Sequence, residues 1–404
     1  MRARRASRPL SSTIWTAWPR SWGWTLRRRP SSRRGPRAME SRLARSFLPA
    51  TAVLEMTYAC NHACLFCSCP WEAPGGEFER KAEMPADEWV RLIHHLGERG
   101  ITSLAFTGGE PLLKRGMSDI IEAAAAMTVE HVETRDGRLV AEEGPPKLFL
   151  LSNGGPMSNE VLDLCSRHGI NLSMSLPGLK TFPELTGGGD PENVLRWFRR
   201  AKDKGVGTTV NVTVTKLNLG ELYETIAEGL LAGADNLLMN RFLPGGRGLA
   251  NTELLLTLEE VREAIDVAER VLRESNRRGH LGTELPLCVV DPSAYTHLKV
   301  GTQCSAAKDF FVVGPSGHIR VCNHSPARLP RWTDLEAVKT HPYWHRYAMK
   351  RYLPKECSPC PSMAHCDAGC REAAHVYRGQ VDGRDPLFEN RSPLDAVIPD
   401  RAAV

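Results

Sequence analysis

The chain contains 404 residues, enough for two or three domains with a sizeable hydrophobic core. Its composition, 42% hydrophobic and 25% charged, is ordinary for a globular protein, and no run of eighteen apolar residues is present to span a membrane, so we expect a soluble protein with no membrane partner. The twelve cysteines lie mostly in clusters, which favours metal binding in a reducing compartment, the cytoplasm, over disulfides in a secreted protein.

Residues 1–38 differ from the rest of the chain in composition. They contain eleven arginines and four of the nine tryptophans but no Asp, Glu or Lys, so the basic pI of about 8.6 comes from this segment. Contact with nucleic acid and a transit peptide are two hypotheses for such a segment. We favour two other interpretations for a tail of residues 1–45: it is disordered, or translation truly begins at Met39 and the residues before it are mis-assigned. We therefore expect no nucleic-acid partner.

Strand-like and helix-like runs alternate from about residue 50 to residue 245. Such alternation predicts a parallel sheet with helices outside it, here in a domain of residues 46–250. The six predicted strands cover residues 52–58, 102–107, 148–153, 171–176, 208–215 and 235–242.

Local signals define some of the connections between these strands. A helix after the first strand is predicted to begin near Pro85 and to end at Gly97 and Gly100. Residues 127–147 are predicted to form a surface hairpin that turns at Asp136-Gly137.

Two of the predicted strands, 171–176 and 208–215, alternate strictly between polar and aliphatic side chains. A closed (β/α)8 barrel fills its interior with aliphatic side chains. A polar face on these strands therefore predicts a wet cavity inside a laterally open barrel.

A second module is predicted after the sheet. Thr257-Leu-Glu-Glu260 is a capping box and predicts a helix that continues to about Arg278. We expect residues 251–284 to link the sheet to a cysteine-rich module of residues 285–385, which a C-terminal tail of residues 386–404 follows.

Three cysteines follow the first predicted strand at CxxxCxxC spacing: Cys60, Cys64 and Cys67. A [4Fe–4S] cluster normally takes four thiolates, so three thiolates leave one iron open, as catalytic metal sites keep a position for substrate. A zinc knuckle is the alternative on spacing alone.

A second motif, Thr107-Gly108-Gly109-Glu110-Pro111, follows the second predicted strand. Together the two motifs resemble those of the radical S-adenosylmethionine (SAM) enzymes. The resemblance implies an α/β fold, a partial (β/α)6 barrel. It also implies that SAM binds the open iron through its amino and carboxylate groups, while backbone groups of the glycine turn hold its methionine end.

The same resemblance suggests roles for single residues. By their position in the family, Ser152, Asn153 and Ser175 approach the ribose or carboxylate of SAM; the alternative is that each satisfies neighbouring backbone groups. Cys69 is a candidate hydrogen-atom donor to a substrate radical, or else a structural thiol. Cys165 lies on an apolar helical face, and we expect it in the core.

Seven further cysteines occur between residues 288 and 370. Their spacing resembles the SPASM extension of the radical SAM family, which implies one or two auxiliary [4Fe–4S] clusters, with zinc as the rival metal. The resemblance assigns four cysteines to an inner cluster: Cys304, Cys322, Cys370 and, as candidate fourth ligand, Cys288. It assigns three to an outer cluster that lacks its usual last cysteine: Cys357, Cys360 and Cys366. We expect roughly twelve irons per chain if all three sites are filled.

The resemblance implies a radical enzyme. Such an enzyme cleaves SAM reductively to methionine and a 5′-deoxyadenosyl radical, which abstracts a hydrogen atom from a substrate. The favoured substrate is a ribosomally made peptide, crosslinked or epimerised, and the alternative is a sugar, an alcohol or a tetrapyrrole precursor. Flavodoxin or ferredoxin is the expected reductant. A non-catalytic metal-binding protein is the hypothesis of another class, but it leaves the glycine turn without a purpose.

Overall fold

The computed structural model describes residues 47–75 and 78–388. The predictions for the arginine-rich tail of residues 1–45, and for the C-terminal tail from residue 389 onward, lie outside the described residues. Within the described part of the chain, no helix is long and apolar enough to cross a membrane.

Ten strands form one sheet, and two more form a separate hairpin. The strands are β1 Thr51–Glu55, β2 Ser103–Thr107, β3 Val129–Arg135, β4 Arg138–Gly144, β5 Lys147–Ser152, β6 Asn171–Ser175, β7 Thr208–Val214, β8 Asn236–Arg241, β9 Arg278–Leu281, β10 Leu298–Val300, β11 Phe310–Val313 and β12 Ile319–Arg320. The strand order is β10-β9-β8-β7-β6-β5-β2-β1-β11-β12, and every pair in it is parallel except β11 with β12. All six predicted strands and the predicted hairpin, β3 with β4, are confirmed.

Helices cover the outside of the sheet, as predicted. They are α1 Ala86–Glu98, α2 Met117–Ala125, α3 Asn159–His168, α4 Phe182–Thr186, α5 Pro191–Asp203, α6 Leu222–Ala232, α7 Leu258–Glu274, α8 Leu335–Thr340, α9 Pro342–Ala348 and α10 Arg371–Arg378. Their apolar faces and the aliphatic faces of the strands form one large core, which includes the predicted core thiol Cys165.

One predicted helix end is confirmed and one is wrong. The helix α1 ends at Glu98, between Gly97 and Gly100, and Gly100 with φ +86° follows its C-cap. A Cβ at Gly97 would stand 2.2 Å from Met127 Cε, so this glycine makes room for a packed side chain. The helix predicted to reach Arg278 ends at Glu274, because Arg278 begins β9, which pairs with β8. The predicted capping box of Thr257 and Glu260 is confirmed.

Strands that follow the six predicted ones in the chain extend the sheet at both edges. β9 and β10 are added beside β8, and β11 pairs in parallel with β1 at the other edge. The sheet is therefore larger than the six predicted strands. The division of the chain into domains at residues 250 and 285 stays a prediction.

Polar side chains of the middle strands face inward. On β7, Val210, Val212 and Val214 are buried, whereas Asn211 and Thr213 are half-buried and line an internal cavity. The predicted polar face of this strand therefore lines a cavity, as expected for an open barrel.

Glu269 fixes the edge of the sheet to α7. Its carboxylate accepts hydrogen bonds from the N–H groups of Thr296 at 3.0 Å, His297 at 3.0 Å and Leu298 at 2.7 Å. Burial opposes ionisation, but these N–H groups together lower the pKa of Glu269 to about 2. The ionised carboxylate thus holds the segment that leads into β10.

We expect Glu269→Ala to lower the free energy of unfolding by about 1–3 kcal/mol, because the buried N–H of Leu298 and the partly buried N–H groups of Thr296 and His297 lose their acceptor. Urea unfolding of the reconstituted protein measures this change. The matched control is Glu263→Ala, which alters an exposed glutamate of the same helix and should stay within about 0.5 kcal/mol of the unaltered protein. Equal stability of the two variants would contradict the role given to Glu269.

Candidate active site

The cysteine loop, residues 59–69, follows β1 and is held on one side by α4. The N–H of Ala63 donates to Thr186 O and that of Leu65 to Leu185 O, both at 2.9 Å. The loop backbone is therefore fixed although few of its side chains are buried.

The predicted glycine turn packs directly on this loop. The N–H of Gly109 donates to Thr57 O at 2.9 Å, and that of Glu110 donates to Ala59 O at 2.8 Å. A Cβ at Gly109 would stand 2.2 Å from Ala59 O, and Gly108 has φ +137°, a conformation that side chains oppose. The glycines are thus required for contact with the cysteine loop itself.

A second glycine turn, which the sequence analysis missed, packs on the loop from the end of β8. A Cβ at Gly246, where φ is +49°, would stand 2.3 Å from Cys69 O. Arg247 Nη1 donates to Cys64 O at 3.1 Å. The run Pro244-Gly-Gly-Arg-Gly248 at the carboxyl end of a predicted strand was the available signal.

Glu110 joins the glycine turn to the next strand. The carboxylate accepts hydrogen bonds from Ser152 Oγ at 2.9 Å and the N–H of Asn153 at 2.7 Å, and burial raises the pKa of Glu110 to about 7. Asn153 Nδ2 in turn donates to Asn61 Oδ1 at 2.8 Å and points at Cys60 Sγ at 3.8 Å. Ser152 and Asn153 therefore connect the two predicted motifs, and their contact with SAM stays a prediction.

The three thiols of the loop differ in how firmly they hold their protons. Burial raises the pKa of Cys60, and it raises that of Cys64 to about 12 with further contributions from Cys67 and Cys60. A hydrogen bond from Cys69 lowers the pKa of Cys67. Three neighbouring thiols, none of them in a disulfide, become thiolates readily when a cationic cluster binds them, so the donor set fits iron–sulfur ligation.

Among the described residues, no group of three or more His, Cys, Asp or Glu side chains could hold a metal ion. This finding concerns sites for one ion, whereas the thiolates of a four-iron cluster bind different iron atoms.

Cys69 lies between the cysteine loop and the glycine turn. Its Sγ is 3.8 Å from Gly108 O, and its thiol donates a hydrogen bond to Cys67. Cys69 lines the internal cavity, and its role as a hydrogen-atom donor stays a prediction.

The inner cysteines, Cys304, Cys322 and Cys370, lie together. Burial raises the pKa of all three thiols. The pKa of Cys322 is raised further by Glu372, Cys370 and Cys304. The pKa of Cys304 and that of Cys370 are raised further by Glu284. Burial also raises the pKa of Glu284 to about 7.

Cys288 lies beside the outer cysteines, although the resemblance offered it as a candidate fourth ligand of the inner cluster; which cluster it ligates stays a prediction. The neighbours of Cys288 are the outer cysteines: after burial, Cys366, Cys357 and Cys360 raise the pKa of the Cys288 thiol. The N–H of Leu287 donates to Cys366 Sγ at 3.5 Å. The turn that carries Cys288 packs beside the outer loop at the edge of the sheet, which the spacing of cysteines along the chain does not reveal.

One cavity of about 800 Å³ connects the cysteine loop with the inner set. Its walls include thiols at both ends: Cys60, Cys64, Cys67, Cys69, Cys304, Cys322 and Cys370. Most of the predicted SAM contacts also line it: Thr107, Gly108, Gly109, Ser152, Asn153 and Ser175. Glu110 and Pro111 are buried behind the turn and do not line the cavity.

Comparison with known proteins identifies this site. Residues 54–228, which include the cysteine loop and the glycine turn, match the model of the Radical SAM superfamily. Residues 54–228 are a radical SAM domain. The chain therefore contains a radical SAM domain, as the two motifs predicted.

Relatives extend the likeness over most of the chain. The PqqA peptide cyclase of Granulibacter bethesdensis is 22% identical over 349 residues, which cover 84% of this chain and 86% of the relative. The PqqA peptide cyclase of Xanthomonas campestris pv. campestris is 24% identical over 359 residues, covering 87% and 89%.

Solved structures share the fold. Streptococcus suis SuiB bound to precursor peptide SuiA has a TM-score of 0.66 at 15% identity, covering 91% of this chain and 84% of SuiB. Native anSMEcpe with bound AdoMet has a TM-score of 0.63 at 15% identity, covering 84% and 94%. The predicted α/β radical SAM fold is confirmed, and the cysteine-rich region that follows it fits a SPASM domain.

We expect Gly109→Ala to reduce SAM cleavage about 100-fold, because an added Cβ displaces either the turn or the cysteine loop and such misplacement is costly for catalysis. Formation of 5′-deoxyadenosine with dithionite as reductant measures this loss. Gly220→Ala is the control, since a Cβ at Gly220 meets nothing within 4 Å. If Gly109→Ala were as active as the control, the close approach of Gly109 to Ala59 O would not be required for SAM cleavage.

Proposed function

We propose that this radical SAM enzyme modifies a ribosomally made peptide, by an oxidative crosslink or by epimerisation, after hydrogen-atom abstraction. One observation carries the proposal. A single cavity of about 800 Å³ runs from the cysteine loop and glycine turn to the inner cysteines, so a substrate in it can contact both sites.

The relatives support the choice of a peptide. Two are PqqA peptide cyclases that match the chain over more than four-fifths of its length. Two solved structures of the same fold contain peptides, SuiB with the precursor peptide SuiA and anSMEcpe with the Cp18Cys peptide. On the cavity wall Asn240 Nδ2 donates to Asn211 Oδ1 at 3.2 Å, and the other amide atoms of this pair, Asn240 Oδ1 and Asn211 Nδ2, are of the kind that hydrogen-bonds a peptide backbone.

Cys60, Cys64 and Cys67 would hold the catalytic [4Fe–4S] cluster, and SAM would occupy the neighbouring cavity. When bound, the reduced cluster would give one electron to SAM, whose C5′–S bond would break to release methionine and a 5′-deoxyadenosyl radical, and the radical would take one hydrogen atom from the substrate to give 5′-deoxyadenosine. Every further role belongs to the protein, which binds, orients and shields the reactants.

The glycine turn presents carbonyl oxygens to SAM. The N–H groups of Gly109 and Glu110 already donate to the cysteine loop, and the Glu110 carboxylate already accepts from Ser152 and Asn153. The carbonyl oxygens of Gly108 and Gly109 suit the cationic amino group of SAM; that of Gly108 also accepts a long hydrogen bond from Cys69 Sγ at 3.8 Å. Glu110 positions the turn and does not itself contact SAM.

Aromatic side chains shield the site from water. Tyr58 packs edge-to-face on Trp71 with ring centroids 5.2 Å apart, and both rings line the cavity below the cysteine loop. Phe182 lines it near His62, whose ring lies 6.3 Å away.

The remaining cofactor and partner assignments form part of the same proposal. The inner and outer cysteines would hold auxiliary clusters, and flavodoxin or ferredoxin would supply electrons. The cytoplasm suits twelve cysteines of which none forms a disulfide.

We expect Cys60→Ala, Cys64→Ala and Cys67→Ala each to abolish 5′-deoxyadenosine formation, because two thiolates cannot hold a cluster that must also bind SAM. Anaerobic reconstitution with SAM and dithionite, followed by chromatography, measures the product. Cys165→Ala, which alters a core thiol, should keep the activity. Turnover by any of the three loop variants at the rate of the control would refute the cluster assignment.

A further inference from the structure

Cys288 is held at the protein surface by a turn that is anchored in the core. Leu285 and Val289 are buried on either side of it, whereas Cys288 itself is exposed. The N–H of Leu285 donates to Gly301 O at 2.9 Å, and Arg262 Nε donates to Val289 O at 3.0 Å. The position of the thiol is therefore set by the fold around it.

The outer cysteines lie on one short loop that packs against the same region. The N–H of Cys360 donates to Cys357 O at 3.0 Å, and the N–H of Ala368 donates to Cys366 Sγ at 3.3 Å. Thr302 Oγ1 donates to His365 O at 2.8 Å, and Thr302 O accepts from the N–H of Asp367 at 2.9 Å. Thr302 follows β10 by two residues, so the loop is tied to the edge of the sheet.

The two segments meet at Cys366. Its sulfur accepts the N–H of Leu287 at 3.5 Å, one residue before Cys288. Neither Cys288 nor the three outer cysteines line the cavity, whereas all three inner cysteines do. Four thiols thus gather at the surface and three at the cavity wall.

We propose that Cys288 is the fourth thiolate ligand of the outer auxiliary cluster, beside Cys357, Cys360 and Cys366. This inference rests on the proposed function, which supplies the clusters. Four thiolates are the normal complement of a [4Fe–4S] cluster. The cysteine missing after Cys370 is therefore replaced by one that precedes Cys304 in the chain.

The assignment reverses which auxiliary site is incomplete. The outer site would then have four thiolates, and the inner site would have the three cysteines that line the cavity. Glu284 stands beside Cys304 and Cys370 there, on the same cavity wall.

Iron counting in combined variants tests the assignment. Three proteins are compared: the single variant Cys288→Ala, the double variant Cys357→Ala/Cys360→Ala, and the triple variant with all three changes. Each is reconstituted anaerobically and analysed for iron, zinc and sulfide and by EPR spectroscopy. We expect Cys288→Ala to lose up to about four irons, or to show the signal of a three-iron cluster, and the triple variant to match the double variant, because all three cysteines serve one cluster. Cys165→Ala should keep all its iron, and Cys304→Ala added to the double variant should lose about four more.

Alkylation of Cys288 in the unaltered protein is the second measurement and depends on no single-residue variant. An exposed thiol reacts with iodoacetamide, but a cluster ligand is protected. We expect Cys288 to resist alkylation in the reconstituted protein and to react in the Cys357→Ala/Cys360→Ala variant. The assignment would be overturned by equal reactivity of Cys288 in both proteins or by further iron loss in the triple variant. It would also be overturned by zinc in the outer site, or by an unchanged iron content and EPR spectrum in Cys288→Ala.

Formation of 5′-deoxyadenosine by the unaltered protein is measured in parallel, because it tests the proposed function separately. Absence of that product with the expected iron pattern would refute the function but not the ligand. The product together with the opposite iron pattern would refute the ligand but not the function.

Discussion

The cysteine loop is held between two glycine turns at distances that admit no side chain. A Cβ at Gly109 would stand 2.2 Å from Ala59 O, and one at Gly246 would stand 2.3 Å from Cys69 O. Because these two turns end β2 and β8, the loop joins opposite parts of the sheet. The position of the three thiols, the cavity beside them and the proposed SAM site all depend on this packing.

Buried ion pairs attach the cysteine-rich part of the chain to the same framework. Glu55 at the end of β1 pairs with Arg320 of β12, and Arg241 at the end of β8 pairs with Asp385 at 2.5 Å; all four side chains are almost fully buried. Asp385 also accepts the N–H of Cys370 at 2.6 Å. Removing one partner of such a pair costs about 3–5 kcal/mol, so these contacts hold the inner cysteines firmly opposite the cysteine loop.

Local signals predicted much of this molecule, and contacts between distant segments explain what they missed. Strand alternation and the two motifs depend on neighbouring residues, so the sheet and the loop could be read from the sequence. Arg247 and Gly246 meet Cys64 and Cys69 only in the folded chain. The position of Cys288 likewise depends on the edge strands that bring residues 287 and 366 together, whereas cysteine spacing records only distance along the chain.

The central claim is that a radical formed at the cysteine loop reaches a peptide in the shared cavity. A direct test takes any peptide encoded by a short reading frame beside this gene, prepares it fully deuterated, and incubates it with the enzyme, SAM and dithionite. Mass spectrometry should find deuterium in 5′-deoxyadenosine and a matching change in the peptide. Unlabelled 5′-deoxyadenosine with an unchanged peptide, although SAM is cleaved, would contradict the claim.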